Sequence, residues 1–271
     1  MLDRRLLAGI PSIRRARDFR LYDTRGRRYL DLSRDGALLG HRVAVPVMKS
    51  VLSQGLAAAL PSAWEPRLAA AIARLVPEYP VVRLFSSRER ALDAVSLALG
   101  ARVEPEDLHD PALDPGAPGA GQVCLWRPFL PSVSGGRALL PVLPLTVCGA
   151  PAPACFPAGT RDVPPSETLP GFLLAAALRG CAALFKTESG PPLPGNRVVE
   201  RALDAAKGWA RTGPYVRALF PAAEYPRVHA EFLHAGVLLY PGHPGPSVLP
   251  GECSPGESLL LAGLFAGIPG G

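Results

Sequence analysis

Residues 16–41 read ARDFRLYDTRGRRYLDLSRDGALLGH, and this stretch is the most informative part of the chain. A charged turn at residues 23–26 separates two short apolar runs, at residues 21–22 and 29–30. An Asp-x-x-Gly turn tolerates positive φ at its last position, and aromatic and large apolar side chains suit the paired strands on either side. The stretch therefore predicts a β-hairpin, which leads to a glycine-flanked His41 ahead of a helix.

The composition is that of a soluble globular protein. The chain has 271 residues, of which 48% are hydrophobic, enough for one large domain or for a large and a small one. The net charge is +6 and the sequence pI is about 9.3, with arginines grouped near the N-terminus. Because aromatic residues are not interleaved with them, we expect no nucleic acid as a partner, whereas small anions suit this charge.

Cysteine spacing and hydropathy exclude several other classes. The five cysteines contain no C-x-x-C pair and no histidine at metal-ligand spacing, so we expect neither a metal site nor a disulfide framework. The N-terminal apolar run covers residues 6–10, which is too short for a secretory signal, and no run reaches the length of a membrane span. The sequence thus predicts a cytoplasmic protein without a membrane partner.

Helical and extended patterns alternate along the chain and favour an α/β or α+β architecture. Three segments rich in proline and glycine, at residues 105–121, 141–170 and 241–256, are interpreted as loops or linkers. Helices are predicted at residues 45–60, 67–76, 88–99, 173–185, 197–209 and 226–234, and strands at residues 81–85, 123–126, 139–145 and 237–240.

Residues 81–102, VVRLFSSRERALDAVSLALGAR, have the layout of an anion-binding turn. An apolar strand ends at Ser86 and Ser87, and a helix begins at Arg88. Serine hydroxyls, free backbone N–H groups and the positive end of the helix dipole meet at such a point and can hold a phosphate. The alternative is an ordinary N-capped helix, because serine followed closely by glutamate is also a capping pattern.

Three segments in chain order resemble the class III pyridoxal-phosphate aminotransferases. The first has a D-x-x-G-x-x-Y-L-D turn followed by a Gly-His pair, the second a phosphate turn F-x-N-S-G-T-E, and the third a helix followed by G-V-x-L-x-P. Ser86, Ser87 and Arg88 stand at the Ser-Gly-Thr positions, so the turn departs from the family by losing its glycine. The other matching residues are Asp23, Gly26, Tyr29, Leu30, Asp31, Gly40, His41, Glu89, Ala94, Ala98, Gly236, Val237, Leu239 and Pro241.

The resemblance implies an α/β chain of the fold type I PLP-transferase class, with a reduced central sheet domain. It covers residues 15–103 and 213–267, while the proline-rich middle is shorter than in the family. We expect residues 1–50 and 211–271 to form a smaller α+β domain, and residues 51–210 to form the reduced cofactor-type domain.

The resemblance also implies roles for individual residues. Lys186 is the candidate for the Schiff base with pyridoxal 5'-phosphate, while Ser86, Ser87 and Arg88 are candidates for its phosphate. Phe129, or Trp126 just before it, is the candidate for stacking on the cofactor ring. Two features depart from the family. A helical pattern precedes Lys186, which would make the lysine a C-terminal charge on a helix, and no Asp-Glu pair follows an apolar run between residues 101 and 186.

The expected activity is amino-group transfer between an amino acid or amine and a keto acid through pyridoxal phosphate. By the same resemblance, we expect a homodimer. The alternative is a catalytically inactive homologue that acts as a binding or scaffold protein. A third hypothesis is a basic α/β module that binds phosphorylated ligands or nucleic acid.

Overall fold

The chain divides into two compact units in the computed structural model, which describes residues 3–34, 39–119, 121–131, 134–147, 149–188 and 197–268. One unit combines residues 1–42 with residues 187–271, and the other is the continuous segment 43–186. The sequence placed the division near residues 50 and 210 instead. Helix 197–205 accounts for part of the difference, because it packs against the C-terminal helix 255–266.

Eight helices and eleven strands occur in the described residues. In chain order they are α1 (Arg4–Ala8), β1 (Ile13–Arg17), β2 (Arg20–Asp23), β3 (Arg28–Asp31), α2 (Val45–Ser53), α3 (Trp64–Leu75), β4 (Val81–Phe85), α4 (Arg88–Leu99), β5 (Val123–Trp126), β6 (Ala138–Pro141), β7 (Ala152–Phe156), α5 (Gly171–Glu188), α6 (Arg197–Ala205), β8 (Trp209–Thr212), β9 (Tyr215–Ala218), α7 (Tyr225–Ala235), β10 (Val237–Leu238), β11 (Ser247–Val248) and α8 (Pro255–Ala266).

The unit of residues 43–186 contains a mixed four-stranded sheet in the order β4-β7-β6-β5. β5 and β6 are parallel, whereas β7 is antiparallel to both β4 and β6, so β4, β5 and β6 all run in the same direction. Every residue of β5 and β6 is buried, as expected for strands covered on both faces. The core beside this sheet is formed by Phe85, Ala91, Leu92, Ala94, Val95, Val123, Leu125, Ala138, Leu140, Ala154 and Phe156.

The interior strand β7 corrects the prediction of a loop at residues 141–170. Proline normally argues against an interior strand, because it lacks a backbone N–H, and β7 contains Pro153. Pro153 lies opposite Leu84 of β4, whose N–H and C=O are bonded instead to Ser166 Oγ (3.1 Å) and Glu167 N (2.9 Å). Pro153 and Leu84 therefore form a non-hydrogen-bonded pair, so β4 loses no hydrogen bond to the proline. Residues 166–167 cover the outer edge of β4.

The unit formed by both chain ends contains two sheets, β1-β2-β3-β10 and β11-β9-β8. The predicted hairpin is confirmed: β2 and β3 pair in antiparallel fashion, and Gly26 has φ +83° at the end of the turn. The Asp23 carboxylate fixes this turn by accepting hydrogen bonds from the backbone N–H groups of Arg25 (2.9 Å) and Arg27 (2.8 Å). β10 then adds in parallel beside β3.

Aromatic packing dominates the core of this second unit. Trp209 makes edge contacts with Phe220 and Phe265, at ring-centroid distances of 5.2 and 5.1 Å. Such pairs add to the stabilisation from burial alone. The prediction of a helix through residue 209 is wrong at its end, since α6 stops at Ala205 and Trp209 begins the hairpin of β8 and β9.

Two predicted strands are too long, since β6 ends at Pro141 rather than at residue 145 and β10 ends at Leu238 rather than at residue 240. α4, β4 and β5 have the predicted bounds, while α2 ends at Ser53 rather than at residue 60. α5 begins two residues earlier than predicted and ends at Glu188. Across the residues described, no helix combines the length and the apolar character that crossing a membrane requires.

Candidate functional site

Three loops follow the carboxyl ends of the parallel strands β4, β5 and β6, and this edge is where open α/β sheets bind their ligands. The loop after β4 holds Ser86 and Ser87, and the loop after β5 holds Arg127 and Phe129. The loop after β6 begins at Val142. This edge is therefore the place to test the predicted cofactor site.

The serine turn is already bonded to a carboxylate of the same chain. Glu167 Oε2 accepts hydrogen bonds from the backbone N–H of Ser86 (2.9 Å) and from its hydroxyl (2.6 Å). The other carboxylate oxygen, Oε1, lies 2.7 Å from Arg90 Nε. Ser87 caps α4, because its hydroxyl accepts a hydrogen bond from the backbone N–H of Arg90 at 3.2 Å.

The electrostatics of the turn agree with a bound anion. The Ser86 hydroxyl, followed by its N–H and by Arg90, holds the pKa of Glu167 below its ordinary value. The hydrogen bond to Glu167 in turn raises the pKa of Arg90. A hydrogen bond from Ser87 lowers the pKa of Glu89, so this carboxyl also stays ionised near neutral pH. The turn thus contacts a carboxylate of its own chain, Glu167, and phosphate binding at Ser86, Ser87 and Arg88 stays a prediction.

Two of these participants were missed by the sequence analysis. The cation at the turn is Arg90, in the first turn of α4, whereas the predicted Arg88 is exposed and forms no ion pair within the described ranges. Glu167 lies 81 residues from Ser86 along the chain. Its position depends on residues 166–167 running beside β4, and local sequence carries no signal for that contact.

The loop after β5 contains a buried ion pair. Arg127 donates two hydrogen bonds of 2.7 Å to the Asp110 carboxylate, and both side chains are nearly inaccessible to solvent. A bidentate pair of this kind satisfies the carboxylate in a fixed geometry. The resemblance implies an acidic pair after an apolar strand. The apolar strand β5 is followed instead by Arg127, which is paired with Asp110.

Phe129, the candidate for stacking on a cofactor ring, is half-buried and has φ +62°. Positive φ is uncommon for a bulky residue and marks local backbone strain. Among the described residues, its ring contacts no other aromatic ring and is not part of the hydrogen-bonded group around Ser86. The loop therefore holds Phe129 in a backbone conformation that is costly for a bulky side chain.

Lys186 lies in the last turn of α5 and is exposed. The helix continues past Phe185 to Glu188, so the lysine is positioned as a cation near the negative end of a helix dipole. In the described part of the chain its ammonium group has no hydrogen bond or ion pair with Ser86, Ser87, Arg88 or Phe129. The candidate Schiff-base lysine and the candidate phosphate turn are thus not joined by any contact.

A second group of matched residues lies in the other unit. His41 Nε2 is 2.9 Å from Asp31 Oδ2, and the Ser33 hydroxyl donates to Asp31 Oδ1 at 2.5 Å. Burial alone would raise the pKa of Asp31, but these hydrogen bonds hold it below its ordinary value. The pair ties the segment after the hairpin back to β3, which is a structural role.

Comparison with known proteins identifies the fold. No family model matches the chain. An uncharacterised protein of Treponema pallidum (strain Nichols) is 27% identical over 294 residues, which covers 88% of each chain. An uncharacterised protein of Borreliella burgdorferi is 42% identical over 69 residues, covering 24% of this chain and 26% of that one.

Solved structures of aminotransferases and related enzymes superpose on most of the chain. An omega-transaminase from Sphaerobacter thermophilus has a TM-score of 0.63 and 15% identity, covering 94% of this chain and 90% of its own. Serine palmitoyltransferase from S. paucimobilis has a TM-score of 0.68 and 10% identity, covering 96% of this chain and 92% of its own. A glutamate-1-semialdehyde aminomutase from Pseudomonas aeruginosa PAO1 has a TM-score of 0.66 and 14% identity, covering 94% of this chain and 86% of its own. The chain therefore has the α/β fold of the fold type I, PLP-dependent aminotransferases.

The candidate residues fit pyridoxal phosphate poorly despite this fold. The N–H and hydroxyl groups of Ser86, which the cofactor phosphate would need, are bonded to Glu167. The chain has three lysines, Lys49, Lys186 and Lys207, and all three are exposed. No lysine occurs between residues 50 and 185, so none lies on the loops after β4, β5 or β6.

Proposed function

We propose that this protein is a noncatalytic homologue with the aminotransferase fold, which acts as a binding or scaffold protein. The observation that carries the proposal is the contact between Glu167 and Ser86, at 2.6 and 2.9 Å. A carboxylate there meets the same donors that a phosphate ester would need, and it is supplied by the chain itself at no cost in association entropy. An external phosphate would have to displace it.

The distribution of lysines supports the same proposal. A Schiff base requires an amine beside the cofactor carbonyl, and amines that serve in this way are usually partly buried, where their pKa falls. Lys49 and Lys186 are exposed on helices, and Lys207 is exposed in the turn before β8. None of them has the surroundings that would prepare it for covalent chemistry.

The buried pair of Arg127 and Asp110 adds a third line of support. A pyridine nitrogen stays protonated beside a carboxylate, and this protonation makes the cofactor an electron sink. Here the residue after β5 is a guanidinium whose own carboxylate partner is fully engaged. The loop after β5 therefore places an arginine, already paired with Asp110, where the chemistry needs a free carboxylate.

The competing proposal is amino-group transfer from an amino acid or amine to a keto acid, with Lys186 as the covalent anchor. The similarity to transaminases over 94% of the chain favours it. Under either proposal we expect a homodimer of class III type, and its mass in solution is a direct measurement. The two proposals differ in whether a lysine ever bonds to the cofactor.

An absorbance experiment separates them. Purified protein is mixed with pyridoxal phosphate and scanned near the visible range before and after borohydride treatment. We expect no saturable, borohydride-sensitive band in the unchanged protein, because the anion turn is occupied by Glu167 and no lysine is placed beside it.

Matched variants make the result specific. A band present in the unchanged protein, lost in Lys186→Ala and kept in Lys207→Ala, would establish Lys186 as the anchor and reject the noncatalytic proposal. Lys207 is the control because it is an exposed lysine in the other unit.

A further inference from the structure

A cleft in the unit formed by the chain ends has no role in the proposals above. It has a volume of about 400 Å³, within the range of small-ligand sites. α1 and the residues after it form one wall, β3 with the preceding turn forms another, and α7 forms the third. The residues that matter most are Arg5, Arg27, Tyr29 and His229.

Two arginines make the cleft electropositive. Arg5 and Arg27 are both exposed, and neither forms an ion pair with a carboxylate in the part of the chain that the structure describes. Arg27 donates to the backbone carbonyl of His234, and its guanidinium lies 5.2 Å from the centre of the Tyr29 ring. These contacts hold the Arg27 side chain along the wall of the cleft while leaving its charge uncompensated.

The net charge of the whole chain is concentrated in residues 1–42, the segment that supplies Arg5 and Arg27 to this cleft. Residues 1–42 contain eleven arginines and five aspartates, which give +6, equal to the net charge of the full sequence. The remaining residues are neutral in sum. Because residues of this segment line the cleft, the positive electrostatic potential of the segment attracts anions in addition to any direct contacts.

His229 supplies an unused hydrogen-bond acceptor. It lines the cleft, is only 2% exposed, and its Nε2 has no hydrogen-bond partner among the described residues. A hydrogen bond with the backbone of Leu239 engages the ring, and because Nε2 is unpartnered, the donor is the Nδ1–H group. Burial lowers the pKa of His229, so the imidazole is neutral near pH 7 and Nε2 carries a lone pair.

We propose that this cleft binds a small oxyanion that also carries an O–H group, which is the chemistry of hydrogen phosphate and of singly ionised phosphate monoesters. The charged oxygens pair with Arg5 and Arg27, and the P–O–H group donates to Nε2 of His229. The buried acceptor selects a protonated oxyanion, because an anion with acceptors alone would face the imidazole lone pair and leave it unsatisfied.

The first test compares two ions of similar size and geometry. The full chain is titrated with inorganic phosphate and, separately, with sulfate at pH 7 and constant ionic strength, and binding is followed by calorimetry and by the NMR signals of the histidine rings. Sulfate carries no proton at this pH. We expect phosphate to bind about tenfold more tightly, since one hydrogen bond to a buried acceptor distinguishes the two ions.

Equal affinities for the two ions would overturn the role of His229. The absence of saturable phosphate binding at millimolar concentrations would overturn the site itself.

Charge variants locate the binding. Arg5→Gln and Arg27→Gln are each expected to weaken phosphate binding about tenfold, because each removes a charge-assisted hydrogen bond. Arg4→Gln is the matched control, since Arg4 is an exposed neighbour on the same short helix and does not line the cleft. Equal weakening by Arg4→Gln would mean diffuse surface attraction and would overturn the proposal.

His229→Phe tests the acceptor while keeping the buried ring. We expect this variant to lose the preference for phosphate over sulfate and to retain residual binding of both. If it does not fold, the two arginine variants still decide the proposal. All these variants leave Ser86 and Glu167 intact, so the outcome is independent of the noncatalytic proposal.

Discussion

At the scale of single residues, Glu167 decides how the serine turn is to be understood. Its side chain is 24% exposed and accepts three hydrogen bonds from Ser86 and Arg90. Charge-assisted bonds of this kind are worth more than neutral ones, although partial exposure reduces their contribution. An anion from the same chain thus stabilises the turn, where the resemblance expects one from a cofactor.

The first residue-scale prediction concerns stability. Glu167→Gln should lower the free energy of unfolding by about 1 kcal/mol, because the amide accepts more weakly and cannot pair with Arg90. Urea denaturation followed by circular dichroism measures the change. Glu78→Gln is the control, since Glu78 is an exposed carboxylate of the same unit. Equal effects of the two substitutions would contradict a specific role for Glu167.

At the scale of elements, the start of α8 is held by an ion pair between residues that are 237 positions apart in the chain. Ser254 and Glu257 form a reciprocal capping box, and Glu257 also pairs with Arg20 of β2 through contacts of 2.7 and 2.6 Å. Glu257 is 3% exposed. The capping pattern could be recognised in the sequence as a polar turn before the last helix, whereas its partner Arg20, 237 residues away, could not.

This pair predicts acid sensitivity. The hydrogen bond from Arg20 lowers the pKa of Glu257 to about 2. A carboxyl whose folded pKa is depressed stabilises the protein fully above its ordinary pKa of about 4.3, and this contribution is lost as the pH falls toward 2. The free energy of unfolding, measured by denaturation, should therefore fall as the pH is lowered from about 5 to about 2.

The corresponding substitution should reduce this pH dependence. Glu257→Gln should cost about 2 to 3 kcal/mol near neutral pH, because it leaves the buried part of Arg20 unpaired, and should flatten the decline in acid. Glu252→Gln, an exposed site shortly before α8, is expected to behave like the unchanged protein. An undiminished acid decline in Glu257→Gln would assign the effect to other carboxyls.

At the scale of the whole molecule, the chain is organised as a continuous unit inserted between two terminal segments. Residues 43–186 contain their own sheet, core and serine turn, and the net positive charge lies in residues 1–42. A unit with its own core is expected to fold independently. The proposed anion cleft and the occupied serine turn therefore belong to separate units.

This division predicts that a fragment of residues 43–186 folds alone. We expect cooperative thermal unfolding and slow amide exchange in β5 and β6, because both strands are completely buried. Circular dichroism and hydrogen exchange measure these properties. A fragment without a cooperative transition would show that the segments from the chain ends are needed to complete its core.

Local sequence pattern was enough to predict the hairpin at residues 20–31 and the elements β4 and α4. The sequence also shows directly that the chain has only three lysines, which limits its covalent chemistry. The hairpin, β4 and α4 depend on neighbouring residues: turn residues, apolar periodicity and helix caps act over a few positions. Pattern also supported the class of fold, since the resembling segments occur in the family's order.

Tertiary structure alone decided which groups meet. β7 enters the sheet despite Pro153 because Leu84 of β4 bonds elsewhere, and the same covering segment brings Glu167 to Ser86. Arg20 reaches Glu257, and Arg127 reaches Asp110, by the same kind of long-range closure. Hydrogen bonds and ion pairs depend on distance in space, and for groups many residues apart the local sequence does not specify that distance.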